Sequence, residues 1–275
     1  PRAQRTVRDV MVLTPEELGL EGEKRFFRRE WVLALLKREK LTAVWVPFSF
    51  PFGLAEELQR AGIRLKRLPE PEVPEREVKS PEEQAMIRHC QRAAADAIRK
   101  AIQVIRSAVP DSKGRLTVGG QSLTSDRLRT MIRHWLLDWE CEGPDLIVAC
   151  GAQGADPHET GHGPLWAGKS IVLDIFPRHL RTGYWGDMTR TVVWGRATPR
   201  LRAMYRAVLD AQRAVLAALR PGANAARLHR LAVETIMAHG FKTEFRGGRA
   251  VGFIHGTGHG VGLDIHEKPV LGSRE

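Results

Sequence analysis

Two apolar runs, each associated with a carboxylate, constrain this chain more than any other feature. Within Ser170–Gly195, the runs Ile171–Leu173 and Thr191–Trp194 have the composition of buried strands. Asp174 follows the first run directly, and Asp187 lies just before the second. Because the segment between them is rich in Gly, Pro and Arg, we expect a hairpin that brings the two aspartates side by side. Adjacent carboxylates repel unless a proton or a cation lies between them, so the pattern predicts a divalent-metal site.

A second polar interruption lies in the glycine-rich segment Phe253–Glu267. It contains three histidines, His255, His259 and His266. Imidazoles among so many glycines indicate side chains that closely packed backbone presents into a cavity. Ordinary core histidines are a poor alternative, because two of the three flank the run GTGHGVG.

A literal His-Glu-x-x-His motif occurs at residues 158–162. In a zinc peptidase this motif lies on a helix, so that both histidines face one ion. Here Pro157, Gly161 and Gly163, with further glycines nearby, exclude several turns of helix. We therefore interpret the motif as a coincidence. Its first histidine, His158, follows Pro157 at the end of a glycine-rich loop.

The stretches LDIF, GDMTRT and HGTGHGVGLDIHEKP together resemble the M24 metallopeptidases. This family includes methionine aminopeptidases, Xaa-Pro aminopeptidases, prolidases and creatinase, and the resemblance points to its Xaa-Pro aminopeptidases and Xaa-Pro dipeptidases. It covers residues 80–275 and implies an α/β (α+β) chain whose C-terminal domain has the pita-bread fold. It also implies hydrolysis of the Xaa-Pro bond, at the N-terminus of peptides or in dipeptides.

The resemblance implies ligands for two divalent metal ions that activate a water molecule. Asp174 would bind one ion, Asp187 would bridge both, and His259 would complete the protein ligands of one. The family has two further glutamate ligands, which are expected beyond Glu275, so we expect the C-terminal end of the domain to be missing from this sequence. Carboxylate and imidazole ligands suit Mn, Co, Zn or Fe and do not choose among them.

Further residue roles follow from the same resemblance. His158 and His266 would be catalytic, donating hydrogen bonds to the tetrahedral intermediate. His255 would bind substrate. Arg190 and Glu267 are expected to serve structure, through ion pairs that hold the hairpin and the histidine segment.

The proline-rich segment Pro69–Pro74 marks a domain boundary, because proline restricts itself and the residue before it to extended backbone. Residues 1–74 are predicted to be a small, shortened α/β domain with its linker, and residues 75–275 the metallopeptidase domain. Within the first domain we expect a helix over 23–40, a strand over 41–47 and a helix near 55–61. Within the second, helices are expected over 80–108, 124–139, 198–221 and 225–238, with a buried strand over 146–150.

Composition adds an expected location and expected partners. The net charge of +11 comes from Lys and Arg scattered over helices, which we interpret as solvated helix faces, so nucleic acid is an unlikely partner. Three widely spaced cysteines without a CxxC pair favour a reducing compartment. No apolar stretch approaches the length of a membrane span. We therefore expect a cytoplasmic protein that acts on peptides, and the family resemblance implies a homodimer.

Two other functions stay open at this point. A methionine aminopeptidase or creatinase-like hydrolase would share the predicted ligands and differ in substrate. A catalytically silent pita-bread module that binds protein or nucleic acid would be favoured by the charge of +11. Retention of both aspartates and of His158, His259 and His266 argues against the silent module.

Overall fold

The computed structural model describes residues 11–69 and 72–272 of the chain. The chain forms two compact units, Pro1–Pro74 and Glu75–Glu275. The division therefore lies at the end of the proline-rich segment, of which residues 70 and 71 are outside the described ranges. Within these ranges, no helix is both long and apolar enough to cross a bilayer.

The first unit is built on two parallel strands joined by a helix. Ala43 lies opposite Arg64 in this pair, and Leu36 and Leu58 are buried. The helix expected over 23–40 is shorter than predicted, because a separate 3-10 turn at Gly22–Phe26 ends on extended backbone at Phe27. The elements in chain order are α1 (Arg28–Arg38), β1 (Ala43–Val46), α2 (Phe52–Arg60) and β2 (Arg64–Arg67).

The long helix near the start of the second unit has a capping box at its N-terminus. The Ser80 hydroxyl accepts a hydrogen bond from the Glu83 N–H, and the Glu83 carboxylate accepts one from the Ser80 N–H. Pro81 occupies the first turn, where its missing N–H costs nothing. The helix expected over 80–108 is thereby confirmed as α3 (Pro81–Ser107).

Small side chains along one face of α3 allow it to pack closely on the main sheet. Its buried residues recur at helical spacing, and four of them, Ala93, Ala94, Ala97 and Ala101, are alanines. The elements that follow are β3 (Val109–Pro110), β4 (Leu116–Val118), β5 (Gln121–Ser122), α4 (Ser125–Leu137), β6 (Cys141–Glu142), β7 (Ile147–Cys150), β8 (Ser170–Ile175), β9 (Arg178–His179) and β10 (Met188–Val193).

The main sheet has the antiparallel order β10-β8-β7. In β8, Ile171, Leu173 and Ile175 are fully buried in the core, while the alternate residues face away from it. The buried strand expected over 191–194 is confirmed only in part: residues 191–193 end β10, and Val192 and Trp194 are half-buried against the main core. β10 begins earlier and is an edge strand in the described part of the chain, so Arg190 and Thr191 are exposed.

The rest of the second unit consists of a helix pair and two short hairpins. The helices pack through a separate apolar cluster that includes Val215, Leu228 and Ile236, with Leu271 against it. A hairpin of three-residue strands follows, and the last pair contains the predicted histidines or lies beside them. These elements are α5 (Pro199–Ala218), α6 (Ala225–Ala238), β11 (Glu244–Arg246), β12 (Arg249–Val251), β13 (Gly258–Gly260) and β14 (Glu267–Leu271).

Candidate functional site

The two predicted aspartates lie on the same side of the main sheet. Asp174 is opposite Thr189 in the pairing of β8 with β10, and the Thr189 hydroxyl donates a hydrogen bond to its carboxylate. Asp187 immediately precedes β10 and is two residues from Thr189, so its side chain points to the same face. Since Leu173 and Ile175 point to the core, this face is the one turned away from it.

Both aspartates are held in surroundings that disfavour their negative charge. Burial raises the pKa of Asp174, and the Thr189 hydrogen bond and the charge of His259 offset this only in part. Burial also raises the pKa of Asp187, and the neighbouring charge of Asp174 raises it further. Such a pair becomes more favourable when a cation is shared between the two carboxylates.

His259 and His266 lie beside the aspartates. The His259 Nε2 is 3.5 Å from the Asp187 Oδ2, and both side chains remain about one quarter exposed, at 26% and 29%. The His259 and His266 rings meet edge to face, with centroids 4.4 Å apart. Burial lowers the pKa of His266, and the charges of His259 and His158 lower it further. The segment that contains the GHG motif is therefore brought to the aspartate face.

His158 and His255 are placed differently. The His158 side chain is 93% exposed, and its backbone N–H donates to Asp156 Oδ1 at 2.9 Å. His255 is exposed, with its ring 4.8 Å from that of Phe253 and its Nδ1 2.7 Å from the Gly256 carbonyl oxygen. Neither of these contacts reaches the aspartates, so the role in substrate binding predicted for His255 stays a prediction.

The His-Glu-x-x-His stretch is a loop, as expected. A 3-10 turn at Gly151–Ala155 precedes it, and residues 156–163 form no helix. Its position is fixed by buried Arg129, whose guanidinium donates to the carbonyl oxygens of Thr160 and Gly161. No feature of the sequence predicted that an arginine on α4 would hold this loop.

The predicted metal ligands fit a divalent ion by chemistry, although they do not converge on one point. Among residues 11–69 and 72–272, no three His, Cys, Asp or Glu side chains are arranged to hold one metal ion. Asp187 pairs with His259, and Asp174 is held by Thr189. Two half-buried carboxylates with raised pKa values and one imidazole are nevertheless a donor set that Mn, Co, Fe or Zn accepts.

Backbone contacts connect the segment before Asp187 with the histidine segment. The Trp185 N–H donates to the Gly262 carbonyl at 2.8 Å, and the Trp185 indole donates to the Leu263 carbonyl at 3.1 Å. On the opposite side, the Cys90 thiol of α3 donates to the Tyr184 carbonyl at 3.2 Å. The backbone that leads to Asp187 is therefore held both by α3 and by the histidine segment.

The chain is similar to known proteins of one metallopeptidase family. The model of metallopeptidase family M24 matches residues 85–275, and the chain belongs to this family. The pita-bread fold expected from the sequence is confirmed by the solved structures that this chain resembles. Prolidase from Pyrococcus horikoshii superimposes with a TM-score of 0.73 at 24% identity, covering 90% of this chain and 65% of that one. X-Pro aminopeptidase from Thermotoga maritima gives 0.73 at 23% identity, with the same coverage.

Two curated relatives are Xaa-Pro dipeptidases. The enzyme from Pyrococcus furiosus is 36% identical over 126 residues, which cover 46% of this chain and 33% of that protein. The enzyme from Pyrococcus horikoshii is 27% identical over 262 residues, 94% of this chain and 67% of that protein. The aligned region thus ranges from one third to two thirds of the length of these relatives.

Proposed function

We propose that this chain is the metal-binding portion of a peptidase that hydrolyses the Xaa-Pro bond, at the N-terminus of peptides or in dipeptides. The observation that carries the proposal is the placement of Asp174 and Asp187 on one face, with His259 and His266 against them. Similarity to Xaa-Pro dipeptidases supports the substrate class.

Asp174, Asp187 and His259 would hold the divalent ions, as the family resemblance implies. When bound, such ions would supply a water molecule whose pKa is lowered towards neutrality and would polarise the scissile carbonyl. Thr189 orients the Asp174 carboxylate through its hydrogen bond. His266, already beside His259, would donate a hydrogen bond to the developing oxyanion, and His158 would approach from its loop.

The test compares the full-length protein with two aspartate variants. With Mn²⁺ or Co²⁺ supplied, the wild type is expected to release the N-terminal residue from an Xaa-Pro dipeptide. Asp187→Asn should lower kcat/KM by more than about 100-fold, because even residues that only support metal ligands are worth 10–100-fold. Asp145→Asn, at an exposed loop position outside the site, should leave it unchanged.

The substrate panel separates the other functions. Cleavage of Met-Ala-peptides without cleavage of Xaa-Pro peptides would replace the proposal with a methionine aminopeptidase. Absence of cleavage of any peptide with every metal, from a protein of the expected intact mass, would overturn the enzymatic function. It would favour a binding module, for which the net charge of +11 is the supporting observation. A homodimer in the cytoplasm is part of the same proposal.

A further inference from the structure

A buried carboxylate, that of Glu267, follows directly after His266 and is met by two cations. Only 7% of the Glu267 side chain is exposed. The Lys79 ammonium lies 2.9 Å from its Oε2, and the Arg76 guanidinium contacts its Oε1. The Asp264 backbone N–H donates to Oε1 at 3.1 Å. Three donors at one buried carboxylate compensate for the loss of its hydration, which a single exposed partner would not do.

The same carboxylate fills the inside of the turn over residues 262–267. A Cβ on Gly262 would lie 2.4 Å from the Glu267 Oε2, so any side chain there would displace the carboxylate from its present position. The Gly262 N–H also donates to the Asp264 carbonyl at 3.1 Å. The turn therefore closes around the carboxylate, and His266 is the residue of the turn that adjoins it.

The segment that leads to Asp187 is attached to this turn. Trp185 donates to the Gly262 and Leu263 carbonyls, and Asp187 follows it by two residues. The neighbouring Tyr184 hydroxyl donates to Glu83 of α3 at 2.6 Å. Since Lys79 directly precedes the capped N-terminus of α3, one network connects that helix, the approach to Asp187 and the turn of His266.

We propose that Glu267 is a positioning residue, which through its ion pairs with Arg76 and Lys79 holds the imidazole of His266 beside His259. The effect on catalysis rests on the proposed function, whereas the effect on the two imidazoles does not. Arg76 reinforces the turn from its outer side as well, because it is 2.7 Å from the exposed carboxylate of Asp264.

The charge state of Glu267 agrees with this arrangement. Burial raises the pKa of its carboxyl, but the hydrogen bonds from Lys79, the Asp264 N–H and Arg76 outweigh that effect and leave the pKa below its usual range. The carboxylate is therefore ionised near neutral pH and available to both cations.

The experiment compares Glu267→Gln with a matched control in the full-length protein. Glu142→Gln removes a carboxylate whose partner Arg178 is 3.5 Å away, with both side chains about half exposed. At one fixed pH near 7, the imidazole resonances of ¹⁵N-histidine-labelled protein are recorded and assigned by single His→Gln variants. We expect the His259 and His266 resonances to shift or broaden in Glu267→Gln and to remain unchanged in Glu142→Gln.

Steady-state kinetics on an Xaa-Pro dipeptide provide the second measurement. Glu267→Gln should lower kcat by about 10- to 100-fold with KM within about twofold, because misplacement by about 1 Å is costly in rate. Glu267→Asp should recover part of the loss. Where Glu267→Gln does not fold, Lys79→Met leaves Arg76 on the carboxylate and should change the same quantities in the same direction.

Folded Glu267→Gln with unchanged imidazole resonances and unchanged kcat would overturn the positioning role. A rise in KM alone would overturn it too, by indicating substrate binding instead. Shifted imidazole resonances in a protein whose wild type cleaves no peptide would support the positioning role and reject the proposed function, so the two failures are distinguishable.

Discussion

At the scale of single residues, one glycine determines whether the loop of His158 can lie against the main sheet. Gly161 has a φ of +84°, and a Cβ added there would be 1.8 Å from the Val148 carbonyl oxygen of β7. Arg129 donates to the Gly161 carbonyl at 2.7 Å from the other side. The loop backbone is therefore clamped between a strand and a guanidinium, with no room for a side chain.

Gly161→Ala is expected to lower the free energy of unfolding by about 3 kcal/mol or more, since it adds a backbone clash to the cost of a left-handed residue. Gly163→Ala is the matched control, because Gly163 has a φ of +69° and open space around it. Its expected cost is only about 1 kcal/mol. Urea unfolding of both variants measures the difference, and equal losses would contradict the clamped position of the loop.

At the scale of secondary structure, α3 organises the second unit. Its alanine-rich face packs in the main core, its Cys90 thiol fixes Tyr184, and its N-terminus adjoins Lys79 and Glu83 of the network around Glu267. The start of this helix has to be well defined for these contacts to form together. The capping box of Ser80 and Glu83 supplies that definition.

Ser80→Ala is expected to destabilise the protein by about 1 kcal/mol, because it leaves an N–H of the first helical turn without its side-chain acceptor. Ser107→Ala, at the last residue of the same helix, removes only a hydroxyl that donates to the Val104 carbonyl within the final turn. Its cost should stay below about 0.5 kcal/mol. Chemical denaturation at neutral pH gives both values, and a Ser80→Ala cost no larger than that of Ser107→Ala would count against the cap.

At the scale of the whole molecule, charge balance makes stability depend on pH. The chain carries a net charge of +11, yet it has a buried carboxylate, Glu267, that is paired with two cations. The pKa of that group is lower in the folded protein than in an unfolded chain, where it is about 4.3. Its contribution to stability is therefore fully present above the unfolded pKa and is lost as the pH falls through the folded pKa.

Glu267→Gln should accordingly destabilise the protein by about 2–4 kcal/mol at pH 7, because two cations lose the charge of their buried partner. The difference in unfolding free energy between wild type and variant should shrink as the pH is lowered from 6 towards 3. Urea titrations at several pH values measure this difference. A gap that stays constant, or widens in acid, would contradict the sign derived from the pKa of Glu267.

The parts of the site that were predictable are those that short stretches of chain define. Asp174 and Asp187 were recognisable because a carboxylate at the end of an apolar run has no packing role there, and the strand register then places both on one face. Thr189 could have been predicted from the same parity argument. The family and the pita-bread fold were recognisable from the motifs around these residues and are confirmed.

Other features could not be predicted, because they depend on contacts between distant segments. Arg76 and Lys79 are 191 and 188 residues from Glu267, so no local pattern marked them as its partners. The burial expected for residues 191–194 was wrong for Thr191, because apolar composition does not reveal which face of a strand packs against the core. The roles of the predicted site residues stay predictions. These residues are Asp174, Asp187, His158, His255, His259 and His266.

The sequence by itself determined the capped start of α3, the glycines that tight backbone requires, and the identity of the carboxylates and imidazoles available for metal chemistry. These depend on interactions within a few residues, which the order of side chains specifies directly. Only the tertiary structure decided that His259 lies against Asp187 and that the turn of His266 closes around Glu267. Those contacts exist because α3 and the main sheet share one apolar core, whereas the histidine segment packs against a second one. Hydrogen bonds from Trp185 and the ion pair between Lys79 and Glu267 then connect groups that the sequence keeps far apart.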